Sequence, residues 1–404
     1  MNLAFAYGIF SSAFHGKFDP DTLYTDGGFL TGSESYFWNT VWGLSERGHR
    51  CTAFCDLKGG PRDKVASLAG AAVRDLPLIF QWKDQYDAVI SWNEPEYLRY
   101  APPSALRVCC QQLNDFGYTF PDYDKLVEVY VSPSEHHRSY LTKACRLDPL
   151  KFEALENCTN VEFFRHGRDP SPEELADVTA VELAWYQQAL IRDPHRIVYT
   201  SSPDRGLIHL LTIWPQIRAA VPDATLRIYY RLQQWIDNQK ANKAPWGEVW
   251  KHLAAQFEEI LPTLEGVTVM GATPNRVMAA RELPAARALV YPCDTLAYTE
   301  GFGVSILDAL AAGCEAVISD VDALGSVYGN VATVIPGRPS KQLGKWAETV
   351  VDLLRSTPGP ASPARAAFVA QHSRHASAQR WEAMLERRVA QKHRPKSRIM
   401  RSWT

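Results

Sequence analysis

The chain has no run approaching the ~18 consecutive apolar residues that a membrane span needs, so no spanning helix is expected. Its eight cysteines, Cys51, Cys55, Cys109, Cys110, Cys145, Cys158, Cys293 and Cys314, contain no C-x-x-C pair with zinc spacing. Several lie in apolar, strand-like runs, and the expectation is reduced, buried thiols in a cytoplasmic protein. No clustered metal ligands stand out, and no metal site is expected. No G-x-G-x-x-G follows the first apolar run, which argues against a dinucleotide oxidoreductase. An excess of one charge is also missing: 43 Lys and Arg face 45 Asp and Glu, a formal net charge of −2. A general nucleic-acid binder would usually be basic, so no nucleic-acid partner is expected. The apolar opening "MNLAFAYGIF" has no positive region before it and reads as a first strand rather than a signal peptide.

What is present has the composition of an ordinary globular protein, 46% hydrophobic and 22% charged. At 404 residues it is too long for one core, and two domains are expected. Short apolar strands alternate with helices: "NLAFAYG", "HRCTAFCD", "DAVISW", "ALRVCCQQ" and "VEVYVSP" in the first half. Strands of this kind belong to a parallel sheet covered on both faces. "SESYFWNTVWGLSERG" has helical spacing, with Phe37, Val41 and Leu44 on one stripe and Gly48 placed to end it. The proline-flanked polar stretch 168–194 reads as the link between domains. The alternation then restarts with "HRIVYTS", followed by a helix containing Pro215, a residue that can kink it. "ATLRIYY", "VTVMG", "ALVYP", "EAVISD" and "VATVIP" follow. The expected fold is α/β, two doubly wound units facing across a cleft, with ligands beyond the carboxyl ends of the strands. The expected boundaries are 1–170, a linker 171–194, 195–380, and a C-terminal helix and basic tail 381–404.

The richest stretch is "YTEGFGVSILDALAAGCEAVISD", residues 298–320. Gly301 and Gly303 flank Phe302 and let the backbone approach a ligand. A helix starting near Val304 offers unpaired N–H groups and a positive dipole end. Glu300 stands just before it and Asp308 in its second turn. Together they could hold a sugar, a phosphate and a ribose, the parts of a nucleotide sugar. The bland alternative is a helix-terminal acid and a surface acid. In "VYTSSPDRGLIHLL", Ser202 and Arg205 lie in a turn where a guanidinium would grip a diphosphate. In "MGATPNR", Gly271, Thr273 and Asn275 follow another strand end, where the backbone with Thr273 or Asn275 could read a base edge. "FLTGSES" places Gly32, Ser33 and Glu34 at a helix start, an anion-friendly end with Ser33 as a candidate cap.

This ordered set resembles the retaining glycosyltransferases of the two-Rossmann-domain (GT-B) type, the group 1 or family 4 enzymes, over roughly residues 1–380. "TGSES" is similar to their glycine-rich turn and acid, "SSPDRG" to their basic turn, and "VSPSEHHRSYL" to the last strand–helix turn of their first domain. Glu300 and Asp308 match the family's acid, glycine–aromatic–glycine turn and second acid. Three positions depart from it. Asp308 is one methylene shorter than the usual Glu. Thr200 stands where a second basic residue is common, leaving Arg205, backbone amides or a base from elsewhere such as Arg231. Asn114 and Asp115 stand where many members have a histidine, so no catalytic histidine is assigned.

The resemblance implies sugar transfer from a nucleoside diphosphate with retained configuration, without cofactor or metal. The catalytic roles fall to Glu300 and Arg205, and the acceptor is a glycan or lipid-linked molecule in bacterial cell-surface synthesis. The competing readings are a nucleotide-sugar-binding subunit with weak or no catalysis and a sugar-nucleotide epimerase of the same fold. The basic residues Arg387, Arg388, Lys392, Arg394, Lys396, Arg398 and Arg401 could draw the tail to an anionic bilayer, or the final helix could pack back across the first domain.

Overall fold

Two sheets divide the chain. The first contains β1 (Asn2–Tyr7), β2 (Arg50–Cys55), β3 (Asp63–Val65), β4 (Ala72–Asp75), β5 (Ala88–Trp92), β6 (Leu106–Cys110), β7 (Val129–Ser132) and β8 (Phe152–Ala154). Their order is β3-β4-β2-β1-β5-β6-β7-β8, with every pairing parallel except β3 with β4. The second contains β9 (Arg196–Tyr199), β10 (Thr225–Ile228), β11 (Val267–Val269), β12 (Ala288–Tyr291), β13 (Glu315–Ser319) and β14 (Thr333–Ile335), in the all-parallel order β11-β10-β9-β12-β13-β14. This computed structural model describes residues 1–8, 17–19, 30–58, 63–65, 70–81, 85–114, 123–164, 180, 184, 191–244, 247–295, 297–359 and 361–394. Most of the expected linker, Asp115, and the tail beyond Arg394 lie outside the described residues.

The central strands are apolar because both faces are covered. In β1, Leu3, Phe5 and Tyr7 join one core cluster while Ala4 and Ala6 join another on the opposite face, the period-two alternation of a strand. The chain order reverses between β1 and β5 in the first sheet and between β9 and β12 in the second. Each reversal opens a crevice beyond the strand ends, where such sheets bind ligands.

The helices are α1 (Gly32–Glu46), α2 (Glu135–Ala144), α3 (Leu207–Ala220), α4 (Leu232–Ala241), α5 (Gly247–Ile260), α6 (Val304–Ala311), α7 (Leu324–Tyr328), α8 (Leu343–Arg355), α9 (Pro363–Gln371) and α10 (Arg374–His393). Gly48 follows α1 at φ +84°, as expected of a helix stop. α3 runs unbroken through Pro215, which leaves the Leu211 carbonyl without its usual donor.

The last helix returns to the first domain. The return occurs at Thr159, whose N–H donates to His372 O (3.0 Å) and whose carbonyl accepts from Arg374 N (3.0 Å). The crossing helix therefore begins at Arg374, earlier than the expected 381, because Ser373 caps it by accepting from Ala376 N. Trp381, Met384 and Leu385 are buried in the first domain's core, on the order of 1.5–3 kcal/mol each. Trp381 stacks on Trp92 (6.2 Å, 19°) and donates to Tyr36 Oη (2.9 Å). Lys392 pairs with Glu128 at 2.8 Å, and Arg387 and Arg388 converge on Glu153 at 2.7 Å. These three cations, expected as part of a basic tail, are engaged by the first domain's carboxylates. No described helix is long and apolar enough to cross a membrane. All eight cysteines are free thiols, seven of them buried, and burial raises the pKa of Cys109 and Cys158.

Candidate donor site between the two domains

The two crevices face each other across a cavity of about 430 Å³, within the range of small-molecule sites. Its chemistry comes from the ends of the switch strands. β9 runs into Thr200–Ser202 and a short turn, Pro203–Arg205, closed by Gly206 at φ +95°. Beyond β12, the chain reaches Thr299–Gly303 and enters α6 with Gly303 at φ +86°. A left-handed residue is needed there to turn the chain into the helix, and glycine takes it without strain. The first N–H groups of α6 then open on the cavity with the positive end of the helix dipole.

Glu300 is buried, and its Oε1 accepts from Tyr291 Oη at 2.8 Å. Arg205 Nε lies 3.3 Å from the same oxygen, and its NH1 lies 3.3 Å from Asp204. Burial raises the Glu300 pKa, and the Arg205 guanidinium and the Tyr291 hydroxyl oppose it. Asp322, at φ +55°, holds the Glu300 loop by accepting from the N–H groups of Thr299 (2.8 Å) and Glu300 (3.0 Å). Arg205 is the one cation among the described residues lining the cavity.

The structure brings most of the expected residues to one wall, with differences in detail. Ser202 lines the cavity, with its hydroxyl given to Asp204. Phe302 turns its ring inward against Tyr328 (5.6 Å), so its backbone faces the site. Asp308 lines the cavity one turn into α6. Burial pushes its pKa up to about 6, opposed by a hydrogen bond from the Thr159 side chain, and its Oδ1 has no partner. Thr273 lines the cavity, whereas Gly271, at φ +80°, only turns the chain nearby. Asn275 lines it too, but its amide is committed to Leu30, accepting from Leu30 N (2.6 Å) and donating to Leu30 O (3.1 Å). Arg231, at the start of α4, is exposed and outside the wall.

At α1, the cap is Thr31 rather than Ser33. Glu34 accepts from Thr31 N at 2.7 Å and is turned away from the cavity, because its carboxylate fills the cap. Ser33 lies at the cavity and accepts from Trp92 Nε1 (3.2 Å). Gly32 packs against Val304 of the other domain, where an added Cβ would lie 3.2 Å from Val304 Cβ.

The first domain also grips the loop that carries Glu300. Asn114 donates to Thr299 O (2.6 Å), Ser134 donates to Gly301 O (2.7 Å), and Tyr298 stacks on Tyr140 (4.0 Å, 11°). Ser134 also caps α2 by accepting from His137 N (3.0 Å). The expected strand–helix turn "VSPSEHHRSYL" is there, and it contacts the other domain directly. His137 is buried beside Gly301, and burial lowers its pKa to about 4, so it is neutral near pH 7. Sequence reading missed the polar segment Asn157–Asn160, which lines the cavity from the first domain. Its only signal is the four polar residues in "ENCTN", just before the expected linker.

Asp308 yields a prediction. Its carboxyl has a folded pKa of about 6 against an ordinary value of 3.8. The folded chain therefore binds more protons than the unfolded one between these values, and stability falls as pH rises through that window. Asp308→Asn should raise the ligand-free melting temperature at pH 7.5, and the difference should vanish near pH 4. A pH-independent difference between the two proteins would contradict this.

Residues 194–356 match the family model described as "Glycosyl transferases group 1". No curated protein sequence matches the chain. Among solved structures, the chain is similar to AviGT4, a glycosyltransferase involved in avilamycin A biosynthesis, at 13% identity over 96% of this chain and 98% of that one, with a TM-score of 0.62. It is similar to sucrose-phosphate synthase from Thermosynechococcus elongatus at 14% identity, covering 96% and 99%, TM-score 0.61. HepE from Anabaena, in complex with UDP and glucose, aligns at 14% identity, covering 96% and 100%, TM-score 0.59. At these identities the likeness establishes the fold, which is that of the GT-B glycosyltransferases. Residues 194–356, the part that matches the glycosyl transferases group 1 model, thus form the second half of a GT-B fold.

Proposed function

We propose that the protein is a retaining glycosyltransferase that moves a sugar from a nucleoside diphosphate sugar to a hydroxyl acceptor in bacterial cell-surface glycan synthesis. The observation that carries this reading is the Glu300–Arg205 pair beside the glycine-turned start of α6, inside a cavity built by both domains. Each part has a task. Arg205 and the N–H groups of α6 meet the diphosphate and stabilise the charge on the departing phosphate. Glu300 accepts from hydroxyls of the transferred sugar, and Asp308 from the ribose. Asp204 and Glu300 hold the guanidinium in place until the diphosphate takes over as its partner.

The reaction needs no protein nucleophile and, in this reading, no metal, because Arg205 and the helix dipole supply the positive charge. Enclosure between the domains keeps water from the donor. UDP is the first nucleotide to test, since HepE is described in complex with UDP and glucose. GDP- and ADP-sugars complete the panel. Release of nucleoside diphosphate that rises with added glycan or lipid-linked acceptor, with product NMR showing the donor's anomeric configuration, would establish the activity. Interconversion of the free nucleotide sugar without acceptor would indicate an epimerase instead. Binding without product would indicate a non-catalytic subunit.

Arg205→Ala should weaken binding of the nucleoside diphosphate about tenfold to a hundredfold, the effect of one charge-assisted hydrogen bond. Calorimetry showing equal affinity in the variant would remove Arg205 from the diphosphate site.

A further inference from the structure

The cavity wall contributed by the first domain carries a cluster of buried polar atoms without partners. Asn160 is 3% exposed, and neither its Oδ1 nor its Nδ2 makes a hydrogen bond. Asn157 is 4% exposed; its Nδ2 donates to Gln112 Oε1 at 2.8 Å, which leaves Oδ1 unpartnered. Asp308 Oδ1, across from them on α6, is unpartnered as well. All three residues line the same cavity. An unpaired buried amide or carboxylate oxygen costs free energy, and native structures pair nearly all of them. Three residues in this condition around one cavity indicate a polar ligand that completes them.

The chemistry of the orphaned atoms narrows the ligand. Asn157 Oδ1 and Asp308 Oδ1 are acceptors, so they need donors. A phosphate at neutral pH has essentially none, whereas adjacent sugar hydroxyls have several. The position narrows it further. Asp308 lies four residues beyond Val304, about 6 Å along the helix from its phosphate-binding end. Thr159, which lines the cavity with Asp308, is fixed in place by its backbone bonds to His372 and Arg374. Immediately after Asn160 the same segment turns aromatic: Phe163 and Phe164 line the cavity with Met278 and Leu283. The one cavity thus offers a phosphate end, hydroxyl-seeking amides and an apolar slot, features that suit the phosphate, ribose and base of a nucleoside diphosphate.

We infer that Asn160, supported by Asn157, binds the ribose hydroxyls of the nucleoside diphosphate opposite Asp308, so that the first domain completes the nucleotide site of the second. This rests on the donor reading above. It assigns a specificity role to a segment that neither the family model, which spans 194–356, nor the sequence motifs include.

The test is calorimetry on the full chain with UDP, 2′-deoxy-UDP and 3′-deoxy-UDP, or with the GDP or ADP series should that nucleotide bind more tightly. The parent protein should prefer the ribonucleotide over at least one deoxy analogue by about threefold to tenfold, the scale of a neutral hydrogen bond. Asn160→Ala should bind UDP weaker by a similar factor and show a smaller preference, reduced by the share Asn160 supplies beside Asp308. Its ligand-free melting temperature should be unchanged or higher, because the substitution removes an unpaired buried amide; a structural role would lower it. Asn160→Ser serves as a second variant should the alanine protein fail to fold, with the same expected reduction in preference. Undiminished affinity and preference in the variant overturns the inference alone, and equal binding of all three nucleotides by the parent overturns it together with the Asp308–ribose contact; either result leaves diphosphate binding at Arg205 standing. If the parent binds none of UDP, GDP and ADP, the donor reading itself fails, and this inference with it.

Discussion

Glu300→Gln should lower kcat/KM for sugar transfer at least about a hundredfold, the scale of losing one preorganised electrostatic contact at a reacting centre. Glutamine keeps the size and one acceptor oxygen, so the Tyr291 hydroxyl retains a partner. What disappears is the negative charge. The sugar's hydroxyls then meet a neutral amide, and Arg205, 3.3 Å away, loses one of its two carboxylate partners. Burial already disfavours the charged form of Glu300, so the substitution should not weaken the fold, and the melting temperature should hold or rise. Binding of UDP without a sugar should change far less than turnover, because UDP lacks the hydroxyls Glu300 receives. Steady-state kinetics with an identified donor and acceptor decide the matter: unimpaired turnover would remove Glu300 from the catalytic site.

Gly206→Ala should destabilise the second domain by about 3 kcal/mol or more. The residue adopts φ +95°, and a Cβ there would lie 1.9 Å from Pro292 O. Left-handed strain in a non-glycine residue costs about 1–3 kcal/mol, and the clash with backbone adds to it. The contact joins the ends of the two switch strands, so relief would move Arg205, the preceding residue, and nucleotide affinity should fall too. Gly344→Ala is the control, because a Cβ there meets nothing within 4 Å. Urea unfolding followed by far-UV circular dichroism measures both. A midpoint for Gly206→Ala equal to that of the control would refute the close approach.

How much of this was legible in the sequence depended on how local the cause was. The buried strands were readable because parallel sheets covered on both faces demand continuous apolar runs, as in "DAVISW" and "EAVISD". The short strands β3, β4 and β8 were not, since three or four residues with charged members such as Asp63, Lys64 and Arg74 carry no such signal. Glu300, Gly303 and the start of α6 were readable because a turn's chemistry is set within a few residues. Asn275 shows the limit. Its spacing suits a base reader, yet its partner is Leu30, 245 residues away, and no local pattern encodes that pairing. In the sequence Glu34 suits a ligand loop, although an acid three residues after Thr31 fits a helix cap equally well. Asn157 and Asn160 carry no signal in the sequence because their importance lies in side-chain atoms without partners, which only a packed structure reveals.

The return of α10 to the first domain has a consequence for how the chain is made. Trp381, Met384 and Leu385 belong to the same apolar cluster as Leu3, Phe5 and Trp92. On the ribosome the amino-terminal sheet emerges hundreds of residues before the helix that covers it. Domains synthesised first ordinarily fold first. Here the earlier unit must wait with an uncovered flank until the later unit and α10 behind it have emerged. A nascent chain arrested before residue 374 would present that flank to solvent and to chaperones, so synthesis through α10 is a condition for a closed first domain.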